Sequence, residues 1–194
     1  TTEIYTLSLH DALPIYSNSN VVFCDNEVFP PSIMDIVNDN LEVSYYVNKE
    51  VPQDIYDAGS RVLKAFNIKS RYFHLEFFRL TKEKKGLGKI GDIVALEVNM
   101  RPPGGYTPDM INFAQSLDTY QIYADIICYD KIVNVNMNHP KYYCVYFGRR
   151  DRLEYKYSYE DIKKVYPFIQ MHERMSDALS SAMEIGRASC RERV

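Results

Sequence analysis

Three side chains that could bind ions stand at every second position between residues 96 and 102. They are Glu97, Asn99 and Arg101. Because side chains alternate between the two faces of a β-strand, all three would lie on one face, about 7 Å apart in sequence order. A carboxylate and an amide oxygen suit a hard cation, and a guanidinium suits an anion. The spacing therefore predicts a site that binds a cation and an anion side by side.

An upstream segment, residues 72–80, is rich in aromatic and apolar residues and is predicted to be a buried strand that carries Glu76. The stretch between the two strands, residues 82–91, is rich in Lys and Gly and is predicted to be a turn. The strands would then pair as an antiparallel hairpin. If their polar faces match, Glu76 and Glu97 lie close together with Asn99 beside them, and this set of oxygen donors suits Mg²⁺.

The order of Glu76 on one strand and Glu97-x-Asn99-x-Arg101 on the next resembles the metal-binding end of the ATP-grasp superfamily. That superfamily includes biotin carboxylase, carbamoyl-phosphate synthetase and the purine-pathway carboxylate ligases. The likeness extends over roughly residues 21–130. It implies the C-terminal lobe of an ATP-grasp fold and a ligase that joins a carboxylate to an amine or similar nucleophile through an acylphosphate.

The resemblance also implies roles for individual residues. Glu76, Glu97 and Asn99 would be the metal ligands for Mg²⁺, with Mn²⁺ as an alternative ion, and the two glutamates would thereby help to bind ATP. Arg101 would be catalytic, because its planar fork can clamp the substrate carboxylate or the acylphosphate. The turn after Arg101 and the helix start at Thr107 would shape the acceptor pocket.

Several interpretations stay open at this point. Two carboxylates also suit a glycosidase, and the same fold can serve as a non-catalytic nucleotide-binding or scaffold module. His74 shares the predicted Glu76 face, where it is either a ligand, a base or a structural residue. The charged run Arg149–Arg152 is either a phosphate site or a solvated turn.

Both ends of the chain are predicted to be artefacts. Codons can be chosen for Thr1–Ile15 and Glu184–Val194 that resemble a sequencing adapter, and with this choice the reverse complement of the second occurs inside the first in a shifted frame. We therefore expect neither end to contribute to the core. Residues 16–183 would be a partial ATP-grasp domain with a C-terminal extension, a fragment that is inactive without the missing N-terminal lobe.

The periodicity along the chain predicts an α+β class, an antiparallel sheet with flanking helices on one of its faces. Strands are predicted near residues 21–29, 41–47, 72–80, 96–101, 142–147 and 153–157. Helices are predicted from residue 51 to about 67, from 107 onward with Thr107 as N-cap, at 118–129 and at 159–165.

Composition excludes several classes of protein. The net charge of −3 lacks the basic footprint of nucleic-acid binding, and no apolar run approaches a membrane span. Cys24, Cys128 and Cys144 fit neither a zinc pattern nor a disulfide framework, which favours free thiols in the cytoplasm. The expected partners are small-molecule carboxylate and amine substrates, with no nucleic acid and no membrane, and a homodimer is left open.

Overall fold

A computed structural model describes residues 4–13, 21, 23–30, 36, 38–39, 41–69, 71–133, 135–136, 138–150 and 153–174, with residues 4–13 described by their backbone. The described residues within 1–33 and 43–148 form one compact unit. Those within 34–42 and 149–194 form a second. All residues of the predicted site belong to the first unit.

A six-stranded antiparallel sheet is the framework of the first unit. Its strands are β1 (Ile4–Leu13), β2 (Asp25–Phe29), β3 (Ser44–Val47), β4 (Arg71–Leu80), β5 (Ile93–Asn99) and β6 (Cys144–Phe147). They lie side by side in the order β5-β4-β1-β2-β3-β6, and every neighbouring pair is antiparallel. The α+β class is confirmed, and the ATP-grasp lobe stays a prediction.

The backbone of β1 lies inside this sheet, between β2 and β4. The expectation that Thr1–Ile15 contribute nothing to the core stays a prediction, as does the adapter-like origin of their sequence, but Ile4–Leu13 pair with both neighbouring strands through their backbone. The physical reason is that the facing edges of β2 and β4 present backbone N–H and C=O groups, which an extended segment of almost any sequence can pair with. Glu184–Val194 lie outside the described residues.

Three helices belong to the first unit, namely α1 (Gln53–Ala65), α2 (Thr107–Gln115) and α3 (Thr119–Tyr129). In the second unit, α4 (Tyr159–Val165) begins with a capping box formed by Ser158 and Asp161. The apolar stripe predicted for α1 is confirmed, because its buried residues recur at three- and four-residue intervals, namely Ile55, Ala58, Gly59 and Leu63.

Helices cover both faces of the sheet at β4. One face of this strand carries three side chains that are almost fully buried, Phe73, Leu75 and Phe77. Arg79 on that same face forms an ion pair of 2.7 Å with Asp54 of α1. On the other face, the Tyr72 ring meets the edge of Tyr123 from α3, with 5.7 Å between centroids. The prediction of helices on one face is wrong, because each face of β4 carries buried apolar side chains that need cover, with Tyr72 and Leu80 on the second face.

Local predictions fail in two further places. Among the described residues, 153–157 form bends instead of the predicted strand. The Arg149 guanidinium lies 4.0 Å from the centre of the Tyr155 ring and also donates to the Tyr157 carbonyl (2.6 Å), contacts that organise this segment without a ladder. An apolar residue within the predicted helix 118–129 is expected in the core, but Ile127 of α3 is 61% exposed, because the helix buries only the face that carries Ile122 and Ile126.

Candidate functional site

The predicted hairpin of β4 and β5 is confirmed. Glu76 lies directly opposite Glu97, and His74 lies directly opposite Asn99. Directly opposed residues of antiparallel strands carry their side chains on the same face, with Cβ atoms about 4.5–5.5 Å apart. These four residues therefore share one face of the ladder, and we call them the β4–β5 polar cluster.

A β-bulge at Leu96 sets the register of the cluster. Glu76 pairs with Glu97, but the next residue, Phe77, pairs with Ala95, so Leu96 is the extra residue on β5. Its side chain is 51% exposed, although strict alternation would place it on the face opposite to that of Glu97. A bulge bends its strand and changes the direction of nearby side chains, which strict alternation along a sequence cannot anticipate.

His74 makes a close polar contact with Glu76 within the cluster. Its Nε2 lies 3.0 Å from Oε1 of Glu76, and its side chain is 9% exposed against 24% for that of Glu76. When Glu76 is ionised, it accepts this hydrogen bond from the Nε2–H tautomer of His74. The role of His74, which the sequence left open, therefore includes a hydrogen bond to one oxygen of Glu76, a predicted metal ligand.

The cluster contains the oxygen donors that a magnesium ion prefers. Glu76 and Asn99 are half-buried and Glu97 is exposed, so the set faces inward on one side and solvent on the other. The Asn99 amide nitrogen is buried and has no hydrogen-bond partner among the described residues. Two carboxylates and one amide oxygen fit a hard cation that keeps some of its waters.

A metal site can also be built entirely from His, Cys, Asp and Glu side chains, without amide oxygens. Within the described part of the chain, no group of three or more of these residues is arranged to hold a metal. A cation at the β4–β5 polar cluster would therefore need the amide oxygen of Asn99 as well as oxygen atoms from water or phosphate. This is the usual situation for Mg²⁺, which seldom has a complete protein cage.

Arg101 lies two residues beyond the end of β5. Its guanidinium is exposed and donates from Nη1 to the carbonyl oxygen of Pro102 at 3.0 Å. This bond holds the side chain along the Pro-Pro-Gly-Gly turn. The predicted clamp on an anionic substrate stays a prediction for this residue.

Glu27 on β2, a further carboxylate that the sequence patterns did not single out, is 1% exposed. Thr107 Oγ1 lies 3.2 Å from one of its carboxylate oxygens and 3.3 Å from the other. The predicted N-cap role of Thr107 is wrong, because Tyr106 is the N-cap of α2. The Thr107 hydroxyl donates a hydrogen bond to Glu27 instead. An acidic residue within the apolar stretch 21–29 was the available signal.

Aromatic rings and a thiol surround Glu27. Tyr45 stacks between Phe29 and Tyr146, with centroid distances of 4.6 and 4.7 Å. Burial, and then the negative charge of Glu27, raise the pKa of the Tyr45 hydroxyl. The same two causes, in the same order, raise the pKa of the Cys144 thiol. We call Glu27, Thr107, Tyr45 and Cys144 the Glu27 region.

The β4–β5 polar cluster and the Glu27 region, which are the two acidic regions of this chain discussed below, lie on the same face of the sheet. Ser8 of β1 is opposite Glu27 on one side and opposite Glu76 on the other. The two carboxylates are therefore in one row across the strands, about 10 Å apart at the backbone. Register alone thus aligns Glu27, Glu76 and Glu97 across the sheet, and their different surroundings decide what each can do.

No model of a known protein family matches this chain, and no curated protein matches it either. Among the residues that the structure describes, no helix is long and apolar enough to cross a membrane.

Proposed function

We propose that this chain carries the metal-binding half of an ATP-dependent ligase that joins a carboxylate to an amine or similar nucleophile through an acylphosphate. The observation that carries the proposal is the cross-strand pairing of Glu76 with Glu97, with Asn99 on the same strand face. The ATP-grasp resemblance of the same residues supports it. A cytoplasmic location and small-molecule carboxylate and amine substrates belong to the proposal.

Each residue of the site has a part in this proposal. Glu76, Glu97 and Asn99 would hold Mg²⁺ or Mn²⁺ through their oxygen atoms, and the ion, when bound, supplies positive charge to the phosphates of ATP. His74 holds one oxygen of Glu76. The exposed fork of Arg101 suits two parallel hydrogen bonds to a carboxylate or phosphate group.

The start of α2 would form the acceptor side of the site. Thr107 is the first residue of that helix, and its bond to Glu27 ties the helix start to β2. The turn that carries Arg101 runs directly into this helix, so a fixed start of α2 restrains the turn from its far end. Positioning of this kind is most of what phosphoryl transfer requires of a protein.

Metal binding by the chain itself tests the proposal. Mn²⁺ is titrated into the protein and followed by electron paramagnetic resonance, with and without ATP. We expect weak binding that tightens when ATP is added, because phosphate oxygens complete the coordination of the ion. Glu97→Gln should weaken Mn²⁺ binding about tenfold, since one ligand charge is lost. Glu83→Gln, the same change at an exposed residue of the β4–β5 turn, is the matched control.

Turnover separates the ligase from the non-catalytic module. In a longer chain that includes a phosphate-contacting lobe, Glu97→Gln should abolish ATP turnover. Arg101→Lys should reduce turnover strongly, because a point charge cannot replace the planar fork. Binding of Mn²⁺ and ATP without turnover would favour a nucleotide-binding module. Equal Mn²⁺ affinity of Glu97→Gln and the unaltered protein would overturn the proposal.

A further inference from the structure

We infer that His74 is a positioning residue for the metal-ligating carboxylate of Glu76, an inference that rests on the proposed function. The geometry behind it is the 3.0 Å contact from His74 Nε2 to Glu76 Oε1. Both residues are on the same face of β4, two positions apart, so the contact follows from the strand itself. The inference concerns the orientation of Glu76 and requires no change in the charge of His74.

Burial gives His74 the rigidity that such a role requires. The residue is 7% exposed, whereas the carboxylate that it holds is half-buried and reaches toward solvent. A glutamate side chain has three rotatable bonds and loses rotamer freedom when it binds an ion. A hydrogen bond from a fixed ring restrains that freedom in advance. Partners of this kind, one step removed from a metal, tune its affinity about 10- to 100-fold.

The position of His74 in the ladder extends its influence to a second predicted ligand. His74 is directly opposite Asn99 in the ladder, so its side chain is the cross-strand neighbour of a second predicted ligand. A merely structural histidine would support the packing of the sheet at this position. A positioning histidine also sets how tightly the two oxygen donors on either side of it bind a cation.

Two amide variants distinguish these roles. The side-chain nitrogen of Gln has a reach similar to that of His Nε2, whereas that of Asn is one methylene shorter. His74→Gln therefore keeps a donor for Glu76 Oε1, and His74→Asn puts an amide of the same chemistry out of range. We expect His74→Asn to weaken Mn²⁺ binding in the presence of ATP about tenfold, and His74→Gln to stay within about threefold of the unaltered protein.

The measurement is an electron paramagnetic resonance titration of Mn²⁺ on the full chain, with circular dichroism to establish that each variant is folded. Equal Mn²⁺ affinity of both folded variants and the unaltered protein, while Glu97→Gln binds weakly, would overturn the role of His74 and leave the proposed function standing. Equal loss of Mn²⁺ affinity in His74→Gln and His74→Asn would overturn the role as well, because the amide donor of Gln would then fail to replace the His74 ring. No Mn²⁺ binding by the unaltered protein, with or without ATP, would end both.

Discussion

The two acidic regions on one face of this sheet differ in their access to solvent. Glu27 is 1% exposed and accepts a hydrogen bond from the Thr107 hydroxyl at the start of α2. Glu97 is exposed and lies on β5, at the end of the strand order. A buried carboxylate needs protein partners, whereas an exposed one keeps its water and can exchange it for a ligand. A glutamate in one row across the strands can therefore serve as a structural link where it is buried and as a binding group where it is exposed.

Position in the sheet accounts for the difference. β2 lies between β1 and β3, and α2 packs near β3 and the next strand out, β6, so the face around Glu27 is covered. Among the described strands, β5 pairs on one side only, and its bulge at Leu96 leaves residues 95–97 exposed. Edge strands and bulges are common next to binding sites because they leave polar groups accessible.

The largest expected effect tests the comparison directly. Glu27→Ala should lower the free energy of unfolding by about 2–4 kcal/mol, because it leaves a cavity and removes the acceptor of a buried hydroxyl. Glu97→Ala should change it by no more than about 0.5 kcal/mol, as expected for an exposed surface residue. Urea denaturation of both variants measures the two values. Equal losses of stability would break the distinction between the two regions.

A second prediction uses Cys144 as a reporter of the Glu27 charge. A raised pKa leaves less thiolate near neutral pH, so Cys144 should react with iodoacetamide about tenfold more slowly than the exposed Cys128. Glu27→Gln removes the smaller of the two causes and should speed the reaction of Cys144 by about twofold to fivefold. Mass spectrometry of the alkylated peptides measures both rates. Glu97→Gln is the control, and a similar acceleration there would contradict the assignment.

The smallest effect concerns an exposed carboxylate that has a fixed partner. The hydrogen bond from Arg79 is the main cause that holds the pKa of Asp54 below its usual value of 3.8. The folded state therefore gains stability from this pair above pH 3.8 and loses it as the pH falls further. Asp54→Asn should cost at most about 0.5 kcal/mol at pH 7, since the pair is partly exposed, and nothing once Asp54 is protonated.

Thermal unfolding across pH 2–7 of a double-mutant cycle with Arg79→Gln and Asp54→Asn measures the coupling between the two residues. A coupling that persists unchanged at the acid end of this range would refute the ionic origin of the pair. Asp54, although exposed, would then be held as Glu27 is held by Thr107, through a hydrogen bond that needs no opposite charge.

Much of the fold around the site could be predicted because the relevant patterns are local. Alternation over residues 72–80 and 97–101 predicted the faces of Glu76 and Glu97, and a polar, Lys- and Gly-rich turn predicted the hairpin. The bulge at Leu96 could not be predicted, because it depends on how β5 fits the curvature of its neighbour. The exposure of Ile127 also depends on the packing of α3 and not on its own sequence.

The contacts that define the two acidic regions were decided by the tertiary structure. Glu27 and Thr107 are 80 residues apart, and no local pattern couples an acidic residue in one strand to a hydroxyl in a distant helix. The hydrogen bond of His74 to Glu76 depends on side-chain rotamers, although their shared face was predictable. The sequence by itself determined which residues alternate, which segments are helical and which side chains offer oxygen to a cation. Burial decided the rest, because access to water is a property of the whole packed molecule.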